Sequence, residues 1–371
     1  MKKKIRFIVG AVLIVLIVGG YYILSQKRPP IETKFVQPTA QRAIRPGGEE
    51  GAEPSISIKK PGDSALLGNP KHVYQTFNNC GPATLSMIFS WLGKNVSQGE
   101  LGDKMRPYQN SEGDNDDKTI FTYEFVNWAN EYGFEGVSRV NGDIELLKTF
   151  TANGIPVVVK TWLHVGEDIG HFRIVRGFDD SKKVIIQDDS YEGPNKKISY
   201  FDFLSMWQPF NYAYIIVYSS SQKDLVEAII GEEMDENISW QNALFRAEKE
   251  AELDPENVYP WFNISTAQYH LGNLQSSVEA FEKVENLLPR RMLWYQIEPI
   301  QAYQDLKDYD RVFQIVEKIL NGGNRAFSEI YLIRGEIYLS QGNSARAKEE
   351  FEKAILYNEN SKDAKKSLNS F

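Results

Sequence analysis

The chain contains very little cysteine, because Cys80 is the single one among 371 residues. One thiol cannot form an internal disulfide, so disulfides do not stabilise the folded chain. Histidine is scarce as well, with four residues, and no two of them have the spacing of metal ligands. The sequence therefore predicts no metal site and no cofactor.

Positive charge is scarce in the segments with a folding pattern. Residues 61–221 carry a net charge of −6 and residues 222–371 a net charge of −9, within a total of −8 for the chain. Nucleic-acid binding relies on basic surfaces that neutralise phosphates. This balance argues against nucleic acid as a partner. The acidic run at residues 112–117 lacks the ligand spacing and the glycine of a calcium loop, and we interpret it as a solvated loop.

The longest apolar run lies at the N-terminus. Residues 7–24 are uncharged and follow four basic residues within the first six positions. About 20 helical residues span a bilayer core, and positive flanks stay on the cytoplasmic side. We predict an uncleaved signal anchor at residues 1–26, a single-pass transmembrane helix in the cell membrane with the bulk of the chain extracytoplasmic. The alternative is a cleavable signal peptide, which usually has a shorter apolar core and a small-residue cleavage site.

A composition shift follows the anchor. Residues 27–65 contain six of the 16 prolines, a glycine- and glutamate-rich run and few large apolar side chains. Such a segment cannot bury enough apolar surface to fold, so we predict a disordered tether. Two folded segments are predicted beyond it, an α+β domain at residues 66–221 and an all-α domain at residues 222–371.

In the first folded segment, Cys80 stands where a polar loop meets an apolar helix. Gly81 and Pro82 suit a tight helix entry, and the apolar residues from there to Trp91 have the spacing of a buried helix. A thiol there lies at the positive end of the helix dipole, which favours the thiolate, the form that acts as a nucleophile. The alternative is that a lone cysteine is an ordinary small buried side chain.

A candidate base and a candidate carboxylate lie far downstream. His171 begins a strand-like run, and the next such run ends in Asp188 and Asp189. Predicted helices come first and are followed by predicted strands at residues 155–161, 171–178, 184–187 and 212–218, which is an α+β order. A cysteine at a helix start, a histidine on one strand and a carboxylate on the next form the papain-like arrangement.

These blocks resemble the bacteriocin-processing (double-glycine leader) peptidases of cysteine peptidase family 39, in their stand-alone form without a transporter. The resemblance spans residues 66–218 and rests on Gln75 with the Cys-Gly-Pro-Ala block at 80–83, on Gly-His-Phe at 170–172 and on Gln-Asp at 187–188. It implies a papain-like cysteine peptidase. Cys80 would be its nucleophile, His171 the base, Asp188 the carboxylate that orients His171, and Gln75 a donor in the oxyanion hole.

The choice between Asp188 and Asp189 depends on how the two strands connect. Residues directly opposite each other in an antiparallel pair share a face of the sheet. A turn of two or four residues places Asp188 on the face of His171, whereas an odd-length turn or a β-bulge brings Asp189 or Gln187 there. We predict Asp188, because the residue before it matches the strand-end pattern of the resembled family.

The second folded segment contains an internal repeat. Gly272, Lys307 and Gly342 are 35 residues apart, each is followed by Asn or Asp, and small or apolar residues recur at fixed distances from them. This pattern resembles tetratricopeptide repeats and is loosest at residues 293–324, where Pro299 predicts a kink in the first helix.

Repeats of this kind usually recognise proteins, although an inert spacer or a dimerisation arm is an alternative. We expect a curved array whose inner face carries side chains such as Asn263, Gln268 and Tyr303. The negative charge of the segment favours a partner peptide with basic residues.

The combined prediction is a membrane-anchored extracytoplasmic cysteine peptidase that cleaves a peptide or protein substrate and recognises a protein partner through its repeats. Two alternatives remain. The same thiol chemistry serves acyl or peptidyl transfer, and a peptidase-like domain can also be a non-catalytic binding scaffold. A chain that ends near residue 221 is expected to keep peptidase activity and to lose partner binding.

Overall fold

The structure is a computed structural model that describes residue 35, residues 56–109 and residues 119–371. These residues belong to one compact unit, Phe35–Phe371. The predicted anchor at residues 1–26, most of the predicted tether and the acidic run at 112–117 lie outside the described residues. In the part of the chain that is described, no helix is both long and apolar enough to cross a bilayer.

An antiparallel sheet of seven strands organises the first folded segment. Its order is β2-β7-β3-β4-β5-β6, and β1 also pairs with β4. The strands are β1 (Ser64–Leu66), β2 (Glu135–Arg139), β3 (Val157–Trp162), β4 (Gly170–Asp179), β5 (Val184–Asp189), β6 (Gly193–Ser199) and β7 (Tyr214–Tyr218). The predicted tether ends earlier than expected, because Ser64 and Ala65 already pair with β4.

Helices cover both faces of this sheet. Val158, Phe172 and Ile174 face one apolar core, which they share with helices between residues 80 and 131. Val157 and Val159 face a second core with helices between residues 144 and 230. The first five helices are α1 (Cys80–Trp91), α2 (Gln98–Met105), α3 (Thr122–Glu131), α4 (Ile144–Ala152) and α5 (Tyr200–Trp207). Two covered faces explain why the central strands are buried at nearly every position. The predicted α+β architecture is confirmed.

The second folded segment is helical throughout. Its helices are α6 (Lys223–Ile230), α7 (Glu236–Leu253), α8 (Val258–His270), α9 (Leu274–Glu282), α10 (Met292–Tyr295), α11 (Glu298–Asp305), α12 (Tyr309–Asn321), α13 (Ser328–Ser340), α14 (Ser344–Tyr357) and α15 (Lys362–Leu368).

The 35-residue spacing marks the turns between paired helices. Gly272, Lys307 and Gly342 have φ values of 79°, 64° and 75° and connect α8 to α9, α11 to α12 and α13 to α14. This left-handed conformation is natural for glycine and strained for lysine. At Pro299 the predicted kink is a full break: the helix is divided into α10 and α11, and the proline lies in the first turn of α11, where its missing N–H is tolerated.

The two folded segments share one apolar core. Trp162 and Phe210 from the first segment pack in the same cluster as Phe262, Trp294 and Ile300 from the second. The indole N–H of Trp162 donates to the hydroxyl of Tyr259 at 3.2 Å. The helical repeats are therefore an integral part of the fold around the sheet.

Buried polar contacts reinforce this interface. Glu250 of α7 is 1% exposed and accepts hydrogen bonds from Tyr212 at 2.7 Å and Gln208 at 2.8 Å. Asn263 is also buried and donates to the carbonyl of Gln208 at 2.7 Å. Tyr303 is buried and donates to Glu282 at 2.9 Å. The expectation that Asn263 and Tyr303 face a partner is therefore wrong, because both side chains are used inside the fold.

Candidate active site

Helix α1 begins at Cys80, as predicted. The loop before it turns at Asn78, which has a φ of 53°, and the Asn79 N–H donates to the Thr76 carbonyl at 3.0 Å. A Cβ on Gly81 would lie 2.7 Å from Cδ1 of Ile120, so the residue after the cysteine has to be small. The Cys-Gly-Pro block thus places a partly buried thiol in the first turn of a buried helix.

Asn79 and Arg106 hold the loop that carries the thiol. Asn79 is buried, accepts a hydrogen bond from Arg106 Nη1 at 2.6 Å and donates to Thr76 Oγ1 at 2.7 Å. Burial lowers the pKa of Arg106 to about 10, so the guanidinium stays charged at neutral pH. Its charge helps to lower the pKa of Cys80. The sequence interpretation missed this role, since the arginine lies 26 positions beyond the cysteine.

His171 lies on β4, next to Asp189 and Cys80. It is 2% exposed, and its Nε2 donates to Oδ1 of Asp189 at 3.0 Å. The same imidazole interacts with the Cys80 side chain, and the two residues line one cleft. The predicted meeting of Cys80 and His171 is therefore present in the structure.

The electrostatics of these groups favour a thiolate beside an imidazolium. Burial raises the pKa of Cys80, but the hydrogen bond and the charge of His171 outweigh it, and the pKa is lowered. Burial lowers the pKa of His171, but Asp189 and Cys80 outweigh it, and the pKa is raised. Burial acts against the Asp189 carboxylate, yet His171 and Arg173 lower its pKa strongly. Each charge thus stabilises its neighbour.

The carboxylate next to His171 is Asp189, so the prediction of Asp188 is wrong. The turn after β4 has four residues, since Asp179 pairs with Val184, but the register shifts by one between Val175 and Gly177. This bulge leaves Arg176 as an extra residue, and beyond it Arg173 lies opposite Asp189. The shift moves Asp189 to the face of His171 and turns Asp188 away.

Asp188 instead forms a buried ion pair with Arg176. The guanidinium donates to both carboxylate oxygens, at 2.7 and 2.9 Å, and the backbone N–H of Asn195 donates to Oδ1 at 2.9 Å. Both charged side chains are completely buried. Asp188 therefore holds the bulged strands together and does not contact the histidine.

Asp189 is fixed by a second buried arginine. Arg173 is 1% exposed, its Nε lies 2.8 Å from Oδ2 of Asp189, and its Nη1 donates to the Trp162 carbonyl at 2.8 Å. The N–H groups of Tyr191 and Glu192 donate to Oδ1 of Asp189 at 2.7 and 3.0 Å. The sequence offered a signal for Arg173, because it follows His171 by two positions on the same strand face.

Gln75 lies in the same cleft as Cys80 and His171. Its Oε1 accepts a hydrogen bond from Ser190 Oγ at 2.8 Å, and its backbone N–H donates to the Ser190 carbonyl at 2.8 Å. These bonds orient the amide and leave Nε2 without a hydrogen bond to another described residue. Gln75 can thus act as a donor beside the thiol, and Ser190 is a positioning residue that the motif comparison missed.

The cleft is a cavity of about 490 Å³. Both folded segments line it, and its remaining side chains are largely apolar or aromatic. Besides the site residues, its lining includes Phe77, Ile120, Leu163, Ile169 and Tyr191 from the first segment and Trp294, Tyr295 and Asn324 from the repeats. A cavity of this size accommodates a few residues of a peptide next to the thiol.

The other histidines form no comparable site. His164 contacts Glu167 and Glu192, both at 3.0 Å, and His270 stacks on Trp240. Among the described residues, no group of three or more His, Cys, Asp or Glu side chains could hold a metal ion.

Comparison with known protein families finds a match in each folded segment. Residues 68–215 match the Peptidase_C39 like family, and residues 328–361 match the tetratricopeptide repeat. The resemblance inferred from the Cys, His and Asp blocks and from the 35-residue spacing is thereby confirmed. No curated protein matches the chain at a significant level.

Three solved structures illustrate the similarity to parts of the chain. One is a putative C39-like peptidase from Bacillus anthracis, 15% identical, covering 43% of this chain and 98% of that one, with a TM-score of 0.36. Another is the peptidase domain of Streptococcus ComA, a bifunctional ABC transporter involved in a quorum-sensing pathway, 22% identical over 40% and 97% of the chains, with a TM-score of 0.32. The third is MamA, 18% identical over 36% and 76%, with a TM-score of 0.32.

Proposed function

We propose that the chain is a cysteine peptidase that cleaves a peptide or protein substrate with Cys80, His171 and Asp189. The observation that supports this most strongly is the position of the His171 imidazole. It interacts with the Cys80 thiol, with which it lines a cleft that admits a peptide, and its Nε2 lies 3.0 Å from the Asp189 carboxylate. Nucleophile, base and orienting carboxylate in that order define this class of chemistry.

In the proposed reaction the Cys80 thiolate attacks the carbonyl carbon of the scissile peptide bond. Gln75 Nε2 and the Cys80 backbone N–H donate to the oxyanion that forms. His171 then gives its proton to the leaving amine as the C–N bond breaks, which leaves a thioester on Cys80. Next, His171 removes a proton from a water molecule whose oxygen attacks the thioester, and the thiolate departs from the acid product. Asp189 keeps the imidazole in the productive orientation throughout.

The test is cleavage of a diverse synthetic peptide library by the full chain, with new termini read by mass spectrometry. The wild type is expected to cut a subset of the peptides, and Cys80→Ala, with an unchanged melting temperature, is expected to cut none. Cleavage by Cys80→Ala would refute the assignment. If no peptide were hydrolysed but acyl groups were transferred to an added amine, the protein would be an acyl transferase. If neither reaction occurred, it would be a non-catalytic binding scaffold.

We further propose that the repeats bind a protein partner with basic residues. A second cavity, of about 900 Å³, lies between the sheet segment and the repeats, and its wall includes the acidic side chains of Glu298, Glu336 and Asp363. Cationic peptides should bind the full chain with an affinity that falls as salt rises. Glu336→Lys should weaken binding, whereas Glu352→Lys, at an exposed position outside this cavity, should not. Equal losses in both variants would contradict the proposal.

For the location, we propose that residues 1–26 anchor the protein in the cell membrane with the remainder outside the cytoplasm. The support is the uncharged run at residues 7–24 behind a basic start. Protease added to intact spheroplasts should degrade the folded segments. Their protection would contradict this topology.

A further inference from the structure

The helical repeats reach the active-site cleft through α10. The ring of Tyr295 packs directly on Gly170, the residue before His171, since a Cβ on Gly170 would lie 2.8 Å from its Cε1. Nζ of the buried Lys160 on β3 donates to the Tyr295 carbonyl at 3.3 Å. These contacts fix α10 beside the candidate base.

The connection between α12 and α13 completes this side of the cleft. Gly322 accepts a hydrogen bond from Arg290 Nη2, and Ala326 and Phe327 are fully buried. Asn324 lies between these anchored points and lines the same cavity as Cys80. The backbone here is held on both sides, so the Asn324 side chain has a defined position.

Asn324 carries a hydrogen-bond acceptor without a partner. The residue is 1% exposed, and its Oδ1 accepts no hydrogen bond from any described residue. A buried polar atom of this kind is unfavourable until a water molecule or a ligand supplies the missing donor. The natural donor in a peptidase cleft is a backbone N–H of the substrate.

We propose that the repeats form the second wall of the active site, where Asn324 accepts a hydrogen bond from the substrate backbone and Trp294 and Tyr295 form an apolar subsite. The ligand class is an extended peptide with an apolar side chain close to the scissile bond, because Ile120 and Leu163 face the same space. This inference rests on the proposed peptidase function. It makes the repeat segment a determinant of specificity, in addition to any partner it binds elsewhere.

The experiment compares two electrophiles on the full chain. Iodoacetamide is small and reports on the Cys80 thiolate alone. The second electrophile is the most reactive of a panel of tripeptidyl chloromethyl ketones, which also has to bind to the walls of the cleft. Because the chain has one cysteine, intact mass measures both reactions at a single thiol. The variants are Asn324→Ala and a matched control, Asn321→Ala, which is exposed and three positions away.

Asn324→Ala is expected to lower the rate constant for the peptidyl probe about three- to tenfold, the range of one neutral hydrogen bond, and to leave iodoacetamide labelling unchanged. Asn321→Ala should change neither rate. The melting temperature of Asn324→Ala should not fall, since no hydrogen bond inside the protein is lost. The inference would be overturned if the peptidyl probe labelled wild type and Asn324→Ala at the same rate. A lower melting temperature in Asn324→Ala would also overturn it.

A probe series gives a second test on the unaltered protein. One backbone N-methyl group at a time removes each N–H of the peptidyl probe. N-methylation at one position should lower the labelling rate constant of the wild type by about the same factor as Asn324→Ala does. At that position N-methylation should not slow labelling of the Asn324→Ala variant. N-methyl effects that are the same in wild type and variant would contradict the pairing. A wild-type Cys80 that reacts with iodoacetamide only as fast as an ordinary thiol would instead refute the peptidase proposal itself.

Discussion

The structure assigns different roles to two adjacent aspartates, and exchanging each for asparagine tests that assignment. Asp189→Asn removes the carboxylate that accepts the His171 Nε2–H at 3.0 Å. Asp188→Asn removes the carboxylate that pairs with Arg176 at 2.7 and 2.9 Å. Both side chains are fully buried and each has its own buried arginine, so the two substitutions are matched in burial and in their ion pair, and only Asp189 contacts the histidine.

The two variants should lose similar stability and very different activity. Removing one partner of a buried ion pair costs about 3–5 kcal/mol, and the retained asparagine oxygen keeps both variants near the lower end of that range. Asp189→Asn should in addition lower kcat/KM about 10²- to 10³-fold, because the imidazole loses the group that orients it and stabilises its charge. Asp188→Asn should stay within about threefold of wild type per folded molecule, a difference of less than 1 kcal/mol in activation free energy.

The assay combines peptide cleavage with urea unfolding of both full-length variants, and rates are divided by the folded fraction. The pH profile adds a readout that a purely structural role would not change. Asp189 raises the pKa of His171, so its removal lowers that pKa, and the loss of activity toward high pH should begin at lower pH. A normal rate in Asp189→Asn, or a collapse confined to Asp188→Asn, would refute the reasoning and restore the sequence prediction.

Three further predictions follow from the fold. Gly170→Ala should lower the labelling rate with the peptidyl probe about tenfold, because the added Cβ displaces the Tyr295 ring. Adding Tyr295→Ala to the same chain should not increase that loss. Independent, additive losses from the two substitutions would contradict this contact. A chain ending at residue 221, expected from the sequence alone to keep peptidase activity, should instead be unstable and bind a hydrophobic dye, since it exposes Trp162 and Phe210. A stable, active fragment would show that the shared core is dispensable. Lys307→Gly should raise the free energy of unfolding by about 1 kcal/mol, measured in urea, because a φ of 64° strains lysine, and a decrease would contradict the stated cause.

The sequence predicted the parts of the site that depend on local pattern. Cys80 starts α1 because the Asn-Cys-Gly-Pro run combines a turn, a close approach and a helix start. His171 lies on a strand because Phe172, Ile174, Val175 and Phe178 follow it at close spacing, a pattern typical of a strand buried in a sheet. These features are set by neighbouring residues, so they are visible without a structure.

The carboxylate could not be settled from the sequence, because its face depends on one bulge. Nothing in the run from Val175 to Gly177 marks Arg176 as the extra residue. Its guanidinium is drawn inward by Asp188 and Asn195, which lie on other strands or their connections. A one-residue register shift, which here accompanies the Arg176–Asp188 ion pair, reverses every face assignment beyond it.

The docking of the repeats on the sheet was also hidden. Helical periodicity shows that Asn263 lies on one face of α8, but it does not show which surface covers that face. In the structure it is covered by the Gln208–Phe210 turn of the first segment. The same limitation concealed Trp294, Tyr295 and Asn324, whose place in the cleft depends entirely on how the two segments pack.

The most direct test of the central proposal is the pH dependence of Cys80 alkylation by iodoacetamide in the full chain, compared with His171→Ala. An ordinary free thiol has a pKa of about 8.5. His171 lowers the pKa of the Cys80 thiol, so wild-type labelling should persist well below that pH. In His171→Ala burial remains and raises the pKa, so labelling should fade as the pH falls toward neutrality. Two identical profiles that both follow an ordinary thiol would contradict the proposal that Cys80 is an activated nucleophile.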